Sequence, residues 1–298
     1  MQIKDIGEFG LIKRFQRKIS LDSSVIKGSG DDCAVLKFNQ DKYLLFSCDM
    51  IVEGVDFTKK DEPSLIGRKA LAVSISDIAA CAGTPLHAVV SMGLSKNTSL
   101  KFIDEFSKGL FDLARKFHIN IVGGDISKAK ELVIDVSILG EVRKKYLVLR
   151  NGARPGDIIF VTGSLGGSIR GKHLRFNPRI EEAHFLVKNF KIDSMIDISD
   201  GLAADLGHIL DESRAGAIIY EKLIPVSKDA KNFKEALFMG EDFELLFTAS
   251  RSEAKKIIQK RPLSFKPIGE IFDKRFGLRL VDKNGKEKII QPKGFRHF

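Results

Sequence analysis

Cysteine is scarce in this 298-residue chain: Cys33, Cys48 and Cys81 are all of it, with no CxxC pair and no metal-ligand spacing. An odd count leaves no fully paired disulfide framework, so the thiols are expected to be reduced packing residues. No segment approaches the roughly 20 consecutive apolar residues of a membrane span, which excludes a membrane-spanning reading. The opening MQIKDIGEFGLIKRF has no apolar h-region, so a cytoplasmic protein is expected. The GxGxxG fingerprint, HExxH and the GxSxG elbow are all missing. Gly166-Gly-Ser-Ile-Arg-Gly171-Lys172 imitates a P-loop, but His173 stands where Ser or Thr should reach Mg²⁺, and the segment reads as a glycine-rich turn. The histidines are isolated, and His87, His118, His184 and His208 read as core or surface residues. Nucleophilic and acid-base chemistry therefore lack candidates.

Hydrophobic residues make up 43% and charged residues 30%, ordinary for a soluble globular protein with an ample core. The net charge of +10 raises a nucleic-acid partner as a possibility. The basic residues, however, come in short groups such as Arg14-Phe15-Gln16-Arg17-Lys18 and Lys255-Lys256, which read as solvated helix faces, and no nucleic-acid partner is expected.

Helix-period and strand-period stretches alternate throughout, the pattern of α/β layers around mixed sheets. Helices are expected at 6–19 and 99–118, the second with an apolar stripe of Phe102, Phe106, Leu110, Leu113 and Phe117. Strands are expected at 43–47, 87–94, 119–122 and 132–142. The turn-rich Arg150–Asp157 segment then divides the chain into two domains, 1–149 and 150–298. In the second, strands are expected at 158–162, 216–223, 243–249 and 264–272, and helices at 201–214, 226–238 and 252–260.

The most informative residues are aspartates set against apolar or glycine-rich backbone: Asp31-Asp32, Asp49, Asp77, Asp125, Asp197 and Asp200. They read as lying at strand ends or helix starts. Taken singly, each is a helix cap or turn former. Taken together, convergence would set close pairs repelling by about 4 kcal/mol at 4 Å and an effective dielectric of 20, which only bound cations would relieve. An all-oxygen shell selects Mg²⁺, Ca²⁺ or Mn²⁺. Asp200, in Ser199-Asp200-Gly201, is placed both to cap the following helix and to hold a metal, and free N–H groups there suit a phosphate.

The blocks Gly30–Leu36, Asp49–Gly54, Lys69–Ala80, Ile121–Asp125, Ile196–His208, Gly240–Phe247 and Gly294–Phe298 resemble, in order and across nearly the whole chain, the thiamine-monophosphate kinase family. The resemblance implies a two-domain α/β fold like that of aminoimidazole ribonucleotide synthetase, a homodimer paired through the N-terminal domains, and Mg²⁺-assisted transfer of the ATP γ-phosphoryl group to thiamine monophosphate. It implies that Asp32, Asp49, Asp77, Asp125 and Asp197 hold Mg²⁺, with Ser47 and Cys48 beside Asp49 and with Asp200 on a further metal. Gly124, Asp125, Arg150 and Ser199 are implied to contact ATP, and Glu241 and Phe295 the thiamine moiety, where an aromatic suits a cationic thiazolium.

Two departures stand out. Asp56 replaces the family's usual histidine at a substrate contact, and the chain between Gly166-Gly167-Ser168 and Arg175–Pro178 is short, as though a helix were missing. Rival readings are another ATP-using enzyme of the same fold group, or a non-catalytic protein that binds thiamine phosphates or nucleotide. The full acidic set argues against the second. The reactive N-terminal-loop cysteine or C-terminal cysteine of two fold-group rivals is missing, which argues against part of the first.

Overall fold

The computed structural model describes residues 2–260 and 265–295. The first half contains α1 (Ile3–Gln16), β1 (Val25–Lys27), β2 (Ala34–Lys37), β3 (Lys42–Val52), α2 (Pro63–Ala80), β4 (Thr84–Leu94), α3 (Leu100–Lys116), β5 (Asn120–Lys128) and β6 (Val133–Arg143). The second contains β7 (Ile158–Val161), α4 (Lys172–Arg175), α5 (Ile180–Asn189), β8 (Ser194–Asp197), α6 (Leu202–Ser213) and β9 (Ala215–Tyr220). It ends with α7 (Phe233–Phe238), β10 (Leu245–Ala249), α8 (Arg251–Lys260), β11 (Lys266–Asp273), β12 (Leu278–Val281) and β13 (Glu287–Ile289).

Two mixed sheets result, in the orders β1-β2-β3-β6-β4-β5 and β13-β12-β9-β11-β7-β10-β8. In the first, β3 and β6 run antiparallel in unbroken register from Lys42↔Arg143 to Val52↔Val133, and β4 pairs parallel with β5. Alternation along β3 sends Leu45, Ser47, Asp49 and Ile51 to the face covered by α2, and Phe46, Cys48 and Met50 to the opposite, exposed face. The stripe on α3 packs as its period requires: Phe106, Leu110 and Leu113 are buried, with Phe102 and Phe117 partly buried against the same core.

Helix α2 lies between the halves, touching β3, β6 and β4 on one side and α4, α5 and β8 on the other. Thirteen of its 18 residues are buried, so it has no solvent-exposed polar face and no amphipathic signal to betray it. The sequence reading placed no helix there, although Pro63 at its first turn is a start signal. The core of the first half continues into the second through Leu174, Phe176, Ile180 and Phe243, with the Phe176 and Phe243 rings stacked at 4.1 Å.

Other differences have local causes. The helix expected over 226–238 is reduced to Phe233–Phe238 because the Asn232 side chain caps it, accepting from Glu235 N, while Ser227 closes a turn onto Asp229 N. The strand expected from 243 begins at Leu245, since Glu241 and Phe243 have positive φ. The strand expected over 119–122 extends through Gly123-Gly124 to Lys128. Ser264, part of the strand expected over 264–272, and residues 296–298 of the C-terminal block lie outside the described residues. Helices absent from the sequence reading also include α5, which follows the shortened 166–178 segment.

Helices α2 and α3 meet at two glycines: a Cβ on Gly67 would fall 2.0 Å from the Phe106 carbonyl oxygen, and one on Gly109 would fall 1.7 Å from that of Ser64. The obstacle in each case is backbone, which cannot swing aside. Gly109→Ala should therefore destabilise the protein by about 1–3 kcal/mol, read as a lower urea midpoint at unchanged slope. An unshifted midpoint would contradict this close packing.

Candidate active site

On α2, Lys69, Val73, Ser76 and Asp77 fall at i, i+4, i+7 and i+8 and so share one side of the helix. This side runs along the seam between the two sheets. At its C-terminal end the Ser47 hydroxyl of β3 donates to Asp77 Oδ2, and the Ser76 hydroxyl donates to Asp197 Oδ2 at the end of β8, at 2.5 Å. Asp32, just before β2, completes the group: Asp32, Asp77 and Asp197 each place an oxygen within 4.8 Å of the others. Three carboxylates thus converge from a loop, a helix and a strand of two different sheets. The guanidinium of Arg150 donates to Asp32 Oδ1 at 2.6 Å, and its backbone N–H donates to both oxygens of Asp31.

The electrostatics reflect this crowding. Burial, reinforced by Asp32, raises the Asp197 carboxyl to about 8, and burial with Asp32 raises Asp31 to about 7. Burial lifts Asp49 to about 6, and burial together with the charges of Asp49, Asp197 and Asp32 lifts Asp77 well above its usual range. Asp32 Oδ2 and Asp49 Oδ2 are buried oxygens without a hydrogen-bond partner among the described residues. Orphaned carboxylate oxygens are costly unless something positive meets them. A hard divalent cation fits this donor set, which offers oxygen alone at its centre.

Beside the cluster lies a pocket of about 200 Å³ that opens between β3, the N-terminal part of α2 and the loops around 199–200 and 239–243. Its polar lining is Asp49, Asp56, Lys69, Ser199, Asp200 and Glu241, and its apolar lining includes Ile51, Val55, Phe243 and Phe295. The loops are tied together through the backbone: Glu241 N donates to Ser199 O at 2.6 Å, Phe243 N to Ile198 O at 2.8 Å, and Phe295 N to Asp200 O at 2.9 Å.

Residues 30–142 match the AIR synthase related protein N-terminal domain, and residues 154–281 match the AIR synthase related protein C-terminal domain. The thiamine-monophosphate kinase of Buchnera aphidicola subsp. Schizaphis graminum is 37% identical, over 99% of each chain, and that of Bacillus subtilis is 34% identical, over 98% of this chain and 100% of the relative. The solved structure of AaThiL complexed with AMPPCP and TMP superposes with a TM-score of 0.87 at 31% identity, covering 100% of this chain and 99% of that one. The chain belongs to the thiamine-monophosphate kinase family. Its fold is the two-part α/β architecture of the AIR synthase group, as the sequence led us to expect.

Of the residues that the thiamine-monophosphate kinase pattern implies, the structure brings Asp32, Asp77 and Asp197 together and sets Ser47, Asp49 and Arg150 against them. Asp56, Ser199, Asp200, Glu241 and Phe295 line the pocket instead. Cys48 is separated from Ser47 and Asp49 by strand alternation: its side chain is on the exposed face, so only its backbone faces the site. Asp125 pairs with Ser91 in the row that also holds Asp135 and Met50, on that same exposed face, and Gly124 precedes it on the edge strand β5. Neither joins the carboxylate cluster within one chain. Asp31-Asp32, Asp197 and Asp200 lie at or next to element ends as expected, and Asp77 is in the last turn of α2, whereas Asp49 and Asp125 are inside strands. The N-cap of α6 is Gly201, and buried Asp205 Oδ2 accepts from Asp200 N and Gly201 N. Asp200, Asp205 and His208 form a second group with oxygen and nitrogen atoms within 4.8 Å. The P-loop imitation is accounted for: Gly166 N and the Ser168 hydroxyl donate to Asp242. Sequence reasoning passed over Lys69 and His173, which both meet Glu241; the adjacent Arg68-Lys69 pair among apolar residues does not single out Lys69.

A carboxyl whose pKa rises on folding binds more protons folded than unfolded, so its contribution to stability is lost as pH rises from about 4, its unfolded value, through its folded value. For Asp49, Asp31 and Asp197 that window reaches about 6, about 7 and about 8. Half-buried His184 and His208, whose pKa values desolvation lowers, shift metal-free stability the opposite way. The readout is therefore the gain in melting temperature on adding Mg²⁺, which should be larger at pH 8 than at pH 5.5 and should shrink in Asp197→Asn. A gain independent of pH and of Asp197 would place cation binding elsewhere.

Proposed function

We propose that this protein transfers the γ-phosphoryl group of ATP to thiamine monophosphate, giving thiamine diphosphate and ADP, with Mg²⁺ held by Asp32, Asp77 and Asp197 beside Asp49. The observation that carries this reading is the convergence of buried carboxylates, two with orphaned oxygens, next to a pocket of the right character. A related chain complexed with AMPPCP and TMP at 31% identity supports it. An oxygen of the substrate phosphate attacks the γ-phosphorus as the bond to the β–γ bridging oxygen breaks, and ADP leaves. Both reactants are anions, so repulsion must be relieved and the groups held in line; bound Mg²⁺ supplies positive charge for this.

This chain's own residues do the positioning. Ser47 and Ser76 orient Asp77 and Asp197, and Arg150 is held by Asp32 and Asp31 where its guanidinium lies beside the carboxylates. Phe295 and Phe243 present apolar surface to the thiamine rings in the pocket, and Glu241 presents a carboxylate. The Asp56 carboxylate accepts from Val52 N at 2.7 Å, a turn-closing role that a histidine would not fill in the same way. Asp125 and Gly124 belong to this reading through a second chain: the open face of the first sheet exposes Phe46, Met50 and Val89, apolar surface suited to pairing as a homodimer. No helix among the described residues is long and apolar enough to cross a membrane.

Phosphorus NMR of protein with ATP, Mg²⁺ and thiamine monophosphate should show thiamine diphosphate and ADP, abolished by a chelator. Asp77→Asn and Asp197→Asn should each lower turnover by roughly a hundredfold or more while the fold is retained. Binding of both ligands with no product would favour the non-catalytic alternative.

A further inference from the structure

Lys69 has no exposed surface and sits on a largely buried helix. A buried ammonium is tolerated only when its donors are matched. Here the three N–H donors of a lysine meet three acceptors: Asp56 O at 2.6 Å, His173 Nδ1 at 3.0 Å, and Glu241 Oε1. His173 Nδ1 also lies 3.1 Å from Glu241 Oε2. As a lone pair, that nitrogen completes the lysine's set. As an N–H, it would donate to Glu241 and leave a buried ammonium hydrogen unmatched. With Nδ1 as a lone pair, Glu241 is held through Oε1 by a lysine that His173 itself steadies; with Nδ1 as an N–H, both oxygens are held directly, and in each arrangement the carboxylate keeps lone-pair sites for a ligand.

Glu241 needs such fixing. Its φ of 56° is left-handed, as is that of nearby Phe243 at 48°, and non-glycine residues stay there only where surrounding contacts over-determine them. Burial works to raise its carboxyl, but His173 and Lys69 outweigh that and hold it below the usual range. Glu241 and Lys69 line the pocket, whereas His173 does not; it faces Lys60, Asp61 and Leu65 behind the pocket wall. Any effect of His173 on a ligand must therefore pass through its neighbours.

We propose that Lys69 and His173 are positioning residues that aim an ionised Glu241 into the pocket, where it selects a ring bearing positive charge or N–H donors, such as the aminopyrimidine and thiazolium of thiamine monophosphate. This rests on the kinase reading above. His173 belongs to the shortened segment of the second half and Lys69 to the first, so the two halves jointly set specificity.

The test combines steady-state kinetics with calorimetric titration of thiamine monophosphate on wild type, His173→Phe, His173→Asn, Glu241→Gln and the His173→Phe/Glu241→Gln double variant. His173→Phe should raise KM and Kd for thiamine monophosphate about tenfold, the effect of losing one hydrogen bond to a charged group, with kcat and KM for ATP within about twofold. Asn, whose Oδ1 can accept from Lys69, should restore most of the loss. In the Glu241→Gln background the same Phe substitution should change KM by less than about twofold, because the two residues act as one unit. Lys69→Met, an apolar chain of similar length, is a second probe read in the same way should His173→Phe not fold. An unchanged KM in His173→Phe, or an equal rise in both backgrounds, overturns the proposal. Wild-type protein that neither binds nor phosphorylates thiamine monophosphate fails the kinase reading itself and takes the proposal with it.

Discussion

Carboxylates held within a few ångströms of one another, away from water, repel strongly, and everything around Asp32, Asp77 and Asp197 answers that repulsion. At 4 Å and an effective dielectric of 20, each charged pair would cost about 4 kcal/mol, so three such pairs would be comparable with the roughly 5–15 kcal/mol that stabilises a domain. The protein answers by raising the Asp77 and Asp197 carboxyls, with serine hydroxyls, and with the Arg150 guanidinium. Two oxygens remain unanswered by protein groups. A site this unfavourable when empty of positive charge is well suited to hold cations that carry phosphates.

Geometry then links chemistry to recognition through a single helix. Lys69 and Asp77 are eight residues apart on α2, about 12 Å along the axis, so the pocket end and the carboxylate end form a rigid ruler of the size needed to span a ring system and its phosphate. Because α2 is packed on both sides, through Gly67 and Gly109 against α3 and through β8, α4 and α5 against the second half, neither end can move independently. The cluster and the pocket each take residues from both halves. Domain association and site assembly are therefore the same event.

Much of this was legible in the sequence. The aspartates announced themselves by lying against apolar or glycine backbone, and the α3 stripe and the long strands β4 and β6 follow plain periodicity. What was hidden has definite causes. Helix α2 is buried on all sides, so it has no amphipathic period, and its Lys69 could not be told from a stray surface charge. At the start of α6 the N-cap is Gly201, one residue beyond the aspartate, and Asp205 from inside the helix ties the Asp200 and Gly201 N–H groups. The opposite facing of Asp125 and Asp49 depends on register across three strand pairs, a non-local property that no short motif encodes. His173 was dismissed for what it is not, a P-loop threonine, while its partners lie 104 and 68 residues away in the chain.

The central claim is that one cation site is built from Asp32, Asp77 and Asp197 at the seam of the two sheets. Anomalous scattering from crystals grown with Mn²⁺ and a non-hydrolysable ATP analogue tests it directly. The account predicts a peak within coordination distance, about 2.2 Å, of oxygens from at least two of these three aspartates. Peaks confined to other acidic groups, with this cluster closed on itself by hydrogen bonds, would contradict it.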